Sequence, residues 1–258
     1  MDFTIKQYTN LLIALQQQGF FFQTFKEFVQ DQKDRTIVLR HDVDLLPENS
    51  LKIAKIENKL GIKASYYFRT VSESWDERLI KEISNLGHEI GYHYENLTTC
   101  KGNYNKAIKD FEVNLSKFRK HIPIKTICMH GSPMSKFDSK DLWDKYNYKD
   151  YGIIAEPYFD VDFNEVFYLT DTGRRWDGYK VSVRDKIADK QKEWERNGLS
   201  FHSTDDIINA IISDKLPNKI MITTHPQRWH DNKYLWTKEL VLQNVKNYIK
   251  KYLFVQNI

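Results

Sequence analysis

Thr36-Ile37-Val38-Leu39-Arg40-His41-Asp42-Val43-Asp44 is the stretch on which the reading of this chain turns. Its first four residues are β-branched or aliphatic and have charges on both sides, the pattern of a buried strand. Strand alternation then points Asp42 and Asp44 to the same face at its C-terminal end. Two carboxylates that close repel each other, so they call for a cation or a shared proton between them. A metal site answers that need. The alternative for the pair is a solvated loop that caps the next helix.

Working outward, strand and helix signals alternate. An amphipathic helix covers residues 3–19 and ends at Gly19. After the first strand, Pro47-Glu48-Asn49 opens a helix with apolar positions Leu51, Ile53, Ala54, Ile56 and Leu60, closed by Gly61. Further strands are expected at 62–69, 88–94, 126–130, 151–157, 166–170 and 219–224. Helices are expected at about 76–86, at 103–121 and at 235–252. Gly131-Ser132-Pro133 forms a turn after the fourth strand. Repeated β-then-α with connections of this length implies parallel strands. Seven or eight such units favour an α/β fold closed, or nearly closed, into a distorted (β/α) barrel. Residues 171–203 carry many charges and Trp residues with little periodicity, and read as an insertion over one end of the barrel. The 258 residues fit one domain, 1–258.

Composition narrows the function. Hydrophobic content of 41% supports a sizeable core, and six Trp with fifteen Tyr also suit a sugar-binding cleft. The net charge of +4 is spread along the chain and makes no case for nucleic acid. Cys100 and Cys128 are the only cysteines, so neither a disulfide framework nor a thiolate zinc site is indicated. The N-terminus lacks the pattern of a signal peptide, and no apolar run is long enough for a membrane span. A cytoplasmic protein is the expectation; the oligomeric state is not legible.

The chemistry gathers at strand ends, where the βα loops of parallel folds converge. His93 follows Gly91-Tyr92, His130 ends the fourth strand, Asp171 follows the sixth, and His225 ends the last in Ile222-Thr223-Thr224-His225-Pro226. Any one of these has an ordinary structural reading; together they form a set of Asp and His donors suited to Zn²⁺ or a similar divalent ion.

These residues resemble those of the polysaccharide deacetylases, carbohydrate esterase family 4, over about residues 37–225. The resemblance implies a distorted (β/α) barrel and one divalent metal, zinc foremost, with manganese, cobalt or nickel as alternatives. It implies hydrolysis of an acyl group, usually N-acetyl, from a sugar. The paired-aspartate motif makes Asp42 similar to the general base and Asp44 to a metal ligand. Gly87-His88-Glu89-Ile90-Gly91-Tyr92-His93 matches the second motif, with His93 as a ligand, and the closing His225 is similar to the general acid. The pattern with Met129-His130-Gly131-Ser132-Pro133 resembles a branch linked to surface-polysaccharide biosynthesis. The expected substrate is then an acylated sugar, free or as a nucleotide- or lipid-linked precursor.

One departure matters. The family's second ligand His would fall at position 97, where this chain has Leu97. His130 is expected as the replacement, with Glu95 as the alternative. Asp171 would hold His225 in its charged form. Arg40, Arg174 and Arg175 are candidates to bind a charged group of the sugar, and Trp176 and Trp229 to stack on its face or to pack in the core. Two other readings stay open: hydrolysis of another small amide, as in allantoinase-like relatives, and a metal-free carbohydrate-binding barrel.

Overall fold

The computed structural model describes residues 1–132, 134–180, 182 and 184–250, so Pro133, Val181, Val183 and the expected helix beyond Lys250 lie outside the described residues. The chain opens with α1 (Ile5–Gln17), whose Thr4 cap accepts a hydrogen bond from the Gln7 amide. Tyr8, Leu11, Leu12 and Leu15 fall on one face and are buried. Each leucine so buried contributes about 1.5–3 kcal/mol.

A short strand that the periodicity does not predict follows, β1 (Phe21–Gln23), then α2 (Phe25–Gln30), started by a capping box between Thr24 and Glu27. β2 (Thr36–Val43) is buried at all eight positions and is the axis of the molecule. The chain continues through α3 (Pro47–Lys59), β3 (Ser65–Phe68), α4 (Glu77–Asn85), β4 (Glu89–Tyr94), α5 (Asn96–Thr99), α6 (Tyr104–Arg119) and β5 (Ile127–Met129). Then come α7 (Pro157–Asp160), β6 (Phe167–Thr170), α8 (Ala188–Arg196), α9 (Thr204–Ile212), β7 (Lys219–Thr224) and α10 (Lys233–Lys250).

Every strand pairs in parallel, in the order β5-β4-β3-β2-β7-β6. β1 pairs with Thr36 to Val38 of β2, and β3 takes over from Arg40 on the same edge. Among the described residues no ladder joins β5 to β6, so the sheet curls into a distorted (β/α) barrel that is open between them.

The strand expected at 151–157 is not formed. Tyr148–Tyr151 is a 3-10 turn closed by Gly152 in the left-handed region, and Ala155 makes only an isolated bridge to Thr126. Glu156 then caps α7. The apolar run Ile153-Ile154-Ala155 is too short between a left-handed glycine and a helix cap to build a ladder. Among the described residues of 171–203 the only helix longer than a 3-10 turn is α8, and α9 beyond it packs against α1.

Gly91 has a reason specific to this barrel. A Cβ there would meet the Tyr67 ring at 2.3 Å, so the ring lies flat on the β4 backbone. Tyr67 is also the register partner of Asp42. The absent side chain at Gly91 thus lets β3 and β4 fill the space below the strand ends where His93 stands.

Candidate metal centre and catalytic cleft

Arg40, Asp42 and Asp44 share the inner face of β2 and its extension, as alternation requires. Arg40 clamps Asp42 with two hydrogen bonds, Nε to Oδ1 at 2.8 Å and Nη2 to Oδ2 at 2.6 Å. Both side chains are buried. Burial alone would raise the Asp42 pKa, but the Arg40 guanidinium, helped by His93, holds it down to about 2. The structure thus places Arg40 on Asp42 through Nε and Nη2, where it orients a carboxylate of the chain itself, and Arg40 does not line the cavity at the strand ends.

Asp44 is built differently. Its Oδ2 accepts from Gln227 Nε2 at 3.3 Å. Its Oδ1 is buried without a hydrogen-bond partner among the described residues. Two imidazole nitrogens face that oxygen, His130 Nε2 at 3.4 Å and His93 Nε2 at 3.6 Å. His93 Nδ1 donates to the Cys128 carbonyl at 2.9 Å, which leaves Nε2 with a bare lone pair in the neutral ring. Burial favours that neutral ring and brings the His93 pKa down to about 4. His130 Nδ1 lies 3.1 Å from Glu95 Oε2 and donates to it, so its Nε2 also presents a lone pair.

Asp44, His93 and His130 thus offer three donor atoms, all within 4.8 Å of one another. A convergence of lone pairs with an orphaned carboxylate oxygen fits a divalent cation. A second set, Asp42, His93 and Cys128, meets the same distance criterion. Its carboxylate is already occupied on both oxygens by Arg40, so the first set is the better cation site.

The structure brings Glu95 to the centre in a supporting position. It receives Arg69 through Nε at 2.8 Å and Nη2 at 2.9 Å, and it orients His130. Leu97, at the position where the family's second ligand is expected, is 1% exposed and packs in the core from α5.

Across the cleft, His225 Nδ1 lies 2.6 Å from Asp171 Oδ1, and its Nε2 lies 3.8 Å from Asp44 Oδ2. Asp171 also accepts from the His225 amide, from Arg228 Nη1 at 2.8 Å and from Trp229 Nε1 at 2.8 Å. Arg228 Nη1 is 2.8 Å from His225 Nδ1 too, but it donates to the carbonyl and carboxylate of Asp171. Burial and Arg228 both push the His225 pKa down; Asp171 and Asp44 outweigh them and leave it raised.

The strand ends enclose a cavity of about 440 Å³ lined by Asp42, Asp44, His93, His130 and His225. The sequence reading missed several of its other walls. Asp185 accepts from Tyr158, Tyr168, Thr170 and Thr172, and is held at about 2 against burial by the charges of His225 and Arg40 and by those hydroxyls. Gln227, Arg184 and the inward face of α10 complete the lining. Asp185 lies in the aperiodic segment, so no spacing marks it out; Gln227 and Arg228 stand two and three residues past His225, and proximity to that strand end was the available signal.

Four expected substrate contacts fall elsewhere. Arg174 stacks on Trp236 at 4.3 Å, away from the cavity, and Arg175 pairs with Asp177. Trp176 is buried beside Phe3 and donates to Thr204, and Trp229 is buried beneath Asp171. None of the four lines the cavity: Trp176 in the segment after β6 packs toward Phe3 and Thr204, and Trp229 after β7 packs beneath Asp171. Trp229 belongs to the site only as an anchor for Asp171. Five histidines lie outside the cavity lining: His41 bonds Glu57 and Thr224, His88 bonds the Ala54 carbonyl, His121 approaches Glu77, His202 approaches Asp177 and His230 bonds the Gln227 carbonyl.

No helix among the described residues is long and apolar enough to cross a membrane. No family model matches the chain, and no curated protein matches it. Among solved structures it is similar to a CE4 family pseudoenzyme from Bacillus anthracis, with 15% identity over 85% of this chain and a TM-score of 0.41. A mutant of that pseudoenzyme with restored enzymatic activity matches at 15% identity over 84% of this chain, TM-score 0.40. A CE4 esterase from Streptococcus mutans matches at 13% identity over 87% of this chain and 85% of its own, TM-score 0.43. This chain spans 63% of the length of the Bacillus anthracis protein.

Proposed function

We propose that the chain is a metal-dependent deacylase that hydrolyses an acyl group, N-acetyl foremost, from a sugar. The observation that carries this reading is the convergence of Asp44, His93 and His130 lone pairs between an Arg-clamped carboxylate and an Asp-held histidine. Asp44, His93 and His130 would hold the ion. A divalent ion bound there supplies a water of lowered pKa and polarises the acyl carbonyl. Asp42 remains ionised and is held in one orientation by Arg40, so it accepts the proton that the nucleophilic water gives up.

His225 faces the cleft with Nε2 because Asp171 engages its Nδ1. Its raised pKa keeps a proton available for the departing amine or alcohol. Asp171 positions the imidazole and is itself fixed by Arg228 and Trp229. Asp42 Oδ2 is 3.7 Å from His93 Nε2 and His225 Nε2 is 3.8 Å from Asp44 Oδ2, so a proton acceptor and a proton donor would each border the ion.

The test is metal content together with acetate release from a panel of N- and O-acetylated sugars and small cyclic amides. The protein should bind about one divalent ion per chain and gain thermal stability on adding Zn²⁺, Mn²⁺, Co²⁺ or Ni²⁺. His130→Ala should lose the ion. Acetate release unchanged in Asp42→Asn and His225→Ala would remove the assigned roles. Absence of metal and of any thermal shift would replace the deacylase with a carbohydrate-binding barrel, and release from the cyclic amides alone would change the substrate class.

A further inference from the structure

α10 closes one side of the cavity with an unusual face. Gln243 and Asn247 are buried, while Val241, Leu242, Val245 and Tyr248 on the same helix are exposed. A surface helix ordinarily turns its apolar stripe inward. Here the face toward the cavity is polar apart from Ile249, and it delivers Lys246 and Lys250 to the cavity, one turn apart.

Among the described residues, four cationic side chains line the cavity: Arg184, Arg228, Lys246 and Lys250. Two are engaged. Arg228 is bound to Asp171, and Arg184 donates to the carbonyls of Phe137 and Ser135 and approaches Asp138 at 3.3 Å. The two lysines are not: among the described residues neither ammonium has a carboxylate within the 4.0 Å of an ion pair. The carboxylates of the cavity are also allotted. Asp42 belongs to Arg40, Asp185 to four hydroxyls, and Asp44 to the ion site. Glu239, on the same face of α10, has its pKa raised by burial, against the pull of Arg228 and Lys246, and makes no ion pair with either lysine among the described residues. Burial and then Arg228 likewise push Lys250 down, with Asp185 pulling the other way. Two ammoniums brought together over a partly dehydrated cavity cost free energy unless an anion meets them.

We propose that Lys246 and Lys250 form an anion subsite of the cleft, and that the acylated substrate carries a phosphate or a carboxylate that they bind. The inference rests on the deacylase reading only for the acyl group; the subsite itself rests on α10. It implies that a neutral acetylated sugar is a poor ligand.

The experiment is equilibrium binding by calorimetry to the metal-loaded protein carrying Asp42→Asn, which prevents turnover. The probes are N-acetylglucosamine, N-acetylglucosamine 1-phosphate and N-acetylmuramic acid, so the two sources of charge are separated. One anionic sugar should bind roughly tenfold or more tightly than the neutral one, with a preference that weakens as salt rises. Lys246→Gln with Lys250→Gln should collapse the preference, Lys246→Arg with Lys250→Arg should restore it, and Lys238→Gln on the exposed face should leave it. Equal affinities for all three sugars, or no measurable binding of either anionic sugar, would overturn the subsite. A preference untouched by the glutamine pair would place the anion on the metal and overturn it equally. If the preference follows the lysines while wild-type protein releases acetate from none of the probes, the subsite stands and the deacylase reading falls.

Discussion

The two faces of β2 both carry buried polar side chains, and they are satisfied in opposite ways. On the outer face, His41 lies between Thr224 Oγ1 and Glu57 Oε1, each at 2.7 Å. Glu57 also receives the hydroxyls of Tyr8 and Tyr66. Burial would raise the Glu57 pKa, but His41 and these donors leave it lowered. Both Glu57 oxygens there have donors from the chain. On the inner face, Asp42 is satisfied by Arg40, but Asp44 Oδ1 and the Nε2 atoms of His93 and His130 meet with no donor between them. One strand therefore separates a network completed by the protein from one that is incomplete without a ligand. Buried polarity alone does not mark a functional site; an excess of acceptors does.

The largest expected effect breaks the inner face at its catalytic edge. Asp42→Asn keeps the volume and removes the proton acceptor, so kcat for deacylation should fall by about 10³–10⁴ with metal content retained. Loss of metal in that variant would instead make Asp42 a ligand and shift the centre toward the Asp42, His93 and Cys128 set.

The outer face should respond in stability. Glu57→Leu leaves two tyrosine hydroxyls and His41 Nε2 without their acceptor, and should cost about 3–5 kcal/mol in denaturant unfolding. The folded fraction should keep its metal. A variant that folds as stably as the wild type but loses metal would erase the distinction between the two faces.

This contrast also explains what the sequence could disclose. The inner set was legible because strand alternation and strand ends are local rules: Asp42, Asp44, His93, His130, Asp171 and His225 each lie at or just past the end of an apolar run. The barrel was legible from the same alternation, apart from the three-residue β1 and the unformed strand at 151–157, where Gly152 and the cap at Glu156 overrule an apolar run. The ring of supporting contacts was not legible. That Arg40 orients Asp42, that Trp229 anchors Asp171, and that Asp185 and α10 wall the cavity are all consequences of packing between distant segments. No periodicity encodes them.

A third buried carboxylate sharpens the comparison, because it has donors but no close cation. Glu156 accepts from the amides of Met129 and Tyr158, at 3.0 and 2.5 Å, and is fully buried. Burial outweighs these amides and lifts its pKa from 4.5 to about 7. Between those values the folded chain keeps a proton that the unfolded chain releases. Its contribution is therefore whole below about pH 4.5 and is lost as pH rises through 7, by about 3 kcal/mol. Glu156→Gln should lose that pH dependence and carry only a constant cost for one lost acceptor. Unfolding curves from pH 4.5 to 8 that stay parallel for the two proteins would show that the amides suffice to keep Glu156 charged.

The smallest effect concerns the member of the inner cluster that is complete. Glu95 resembles the outer network: Arg69 holds both of its oxygens and His130 donates to it. If acceptor excess is what makes a ligand, Glu95 is a support and not a ligand. Glu95→Gln keeps an oxygen for His130 Nδ1 but loses the charge that fixes the ring. Supporting residues of this kind typically change metal affinity by about 10–100-fold, against the near-complete loss expected for His130→Ala. Competition with a chelator of known affinity measures both. An affinity drop as deep in Glu95→Gln as in His130→Ala would place a carboxylate oxygen of Glu95 on the ion, with Arg69 displaced. A drop confined to His130→Ala would leave the ring held well enough by the backbone alone, since the His130 amide already bonds the Tyr94 carbonyl at 2.8 Å.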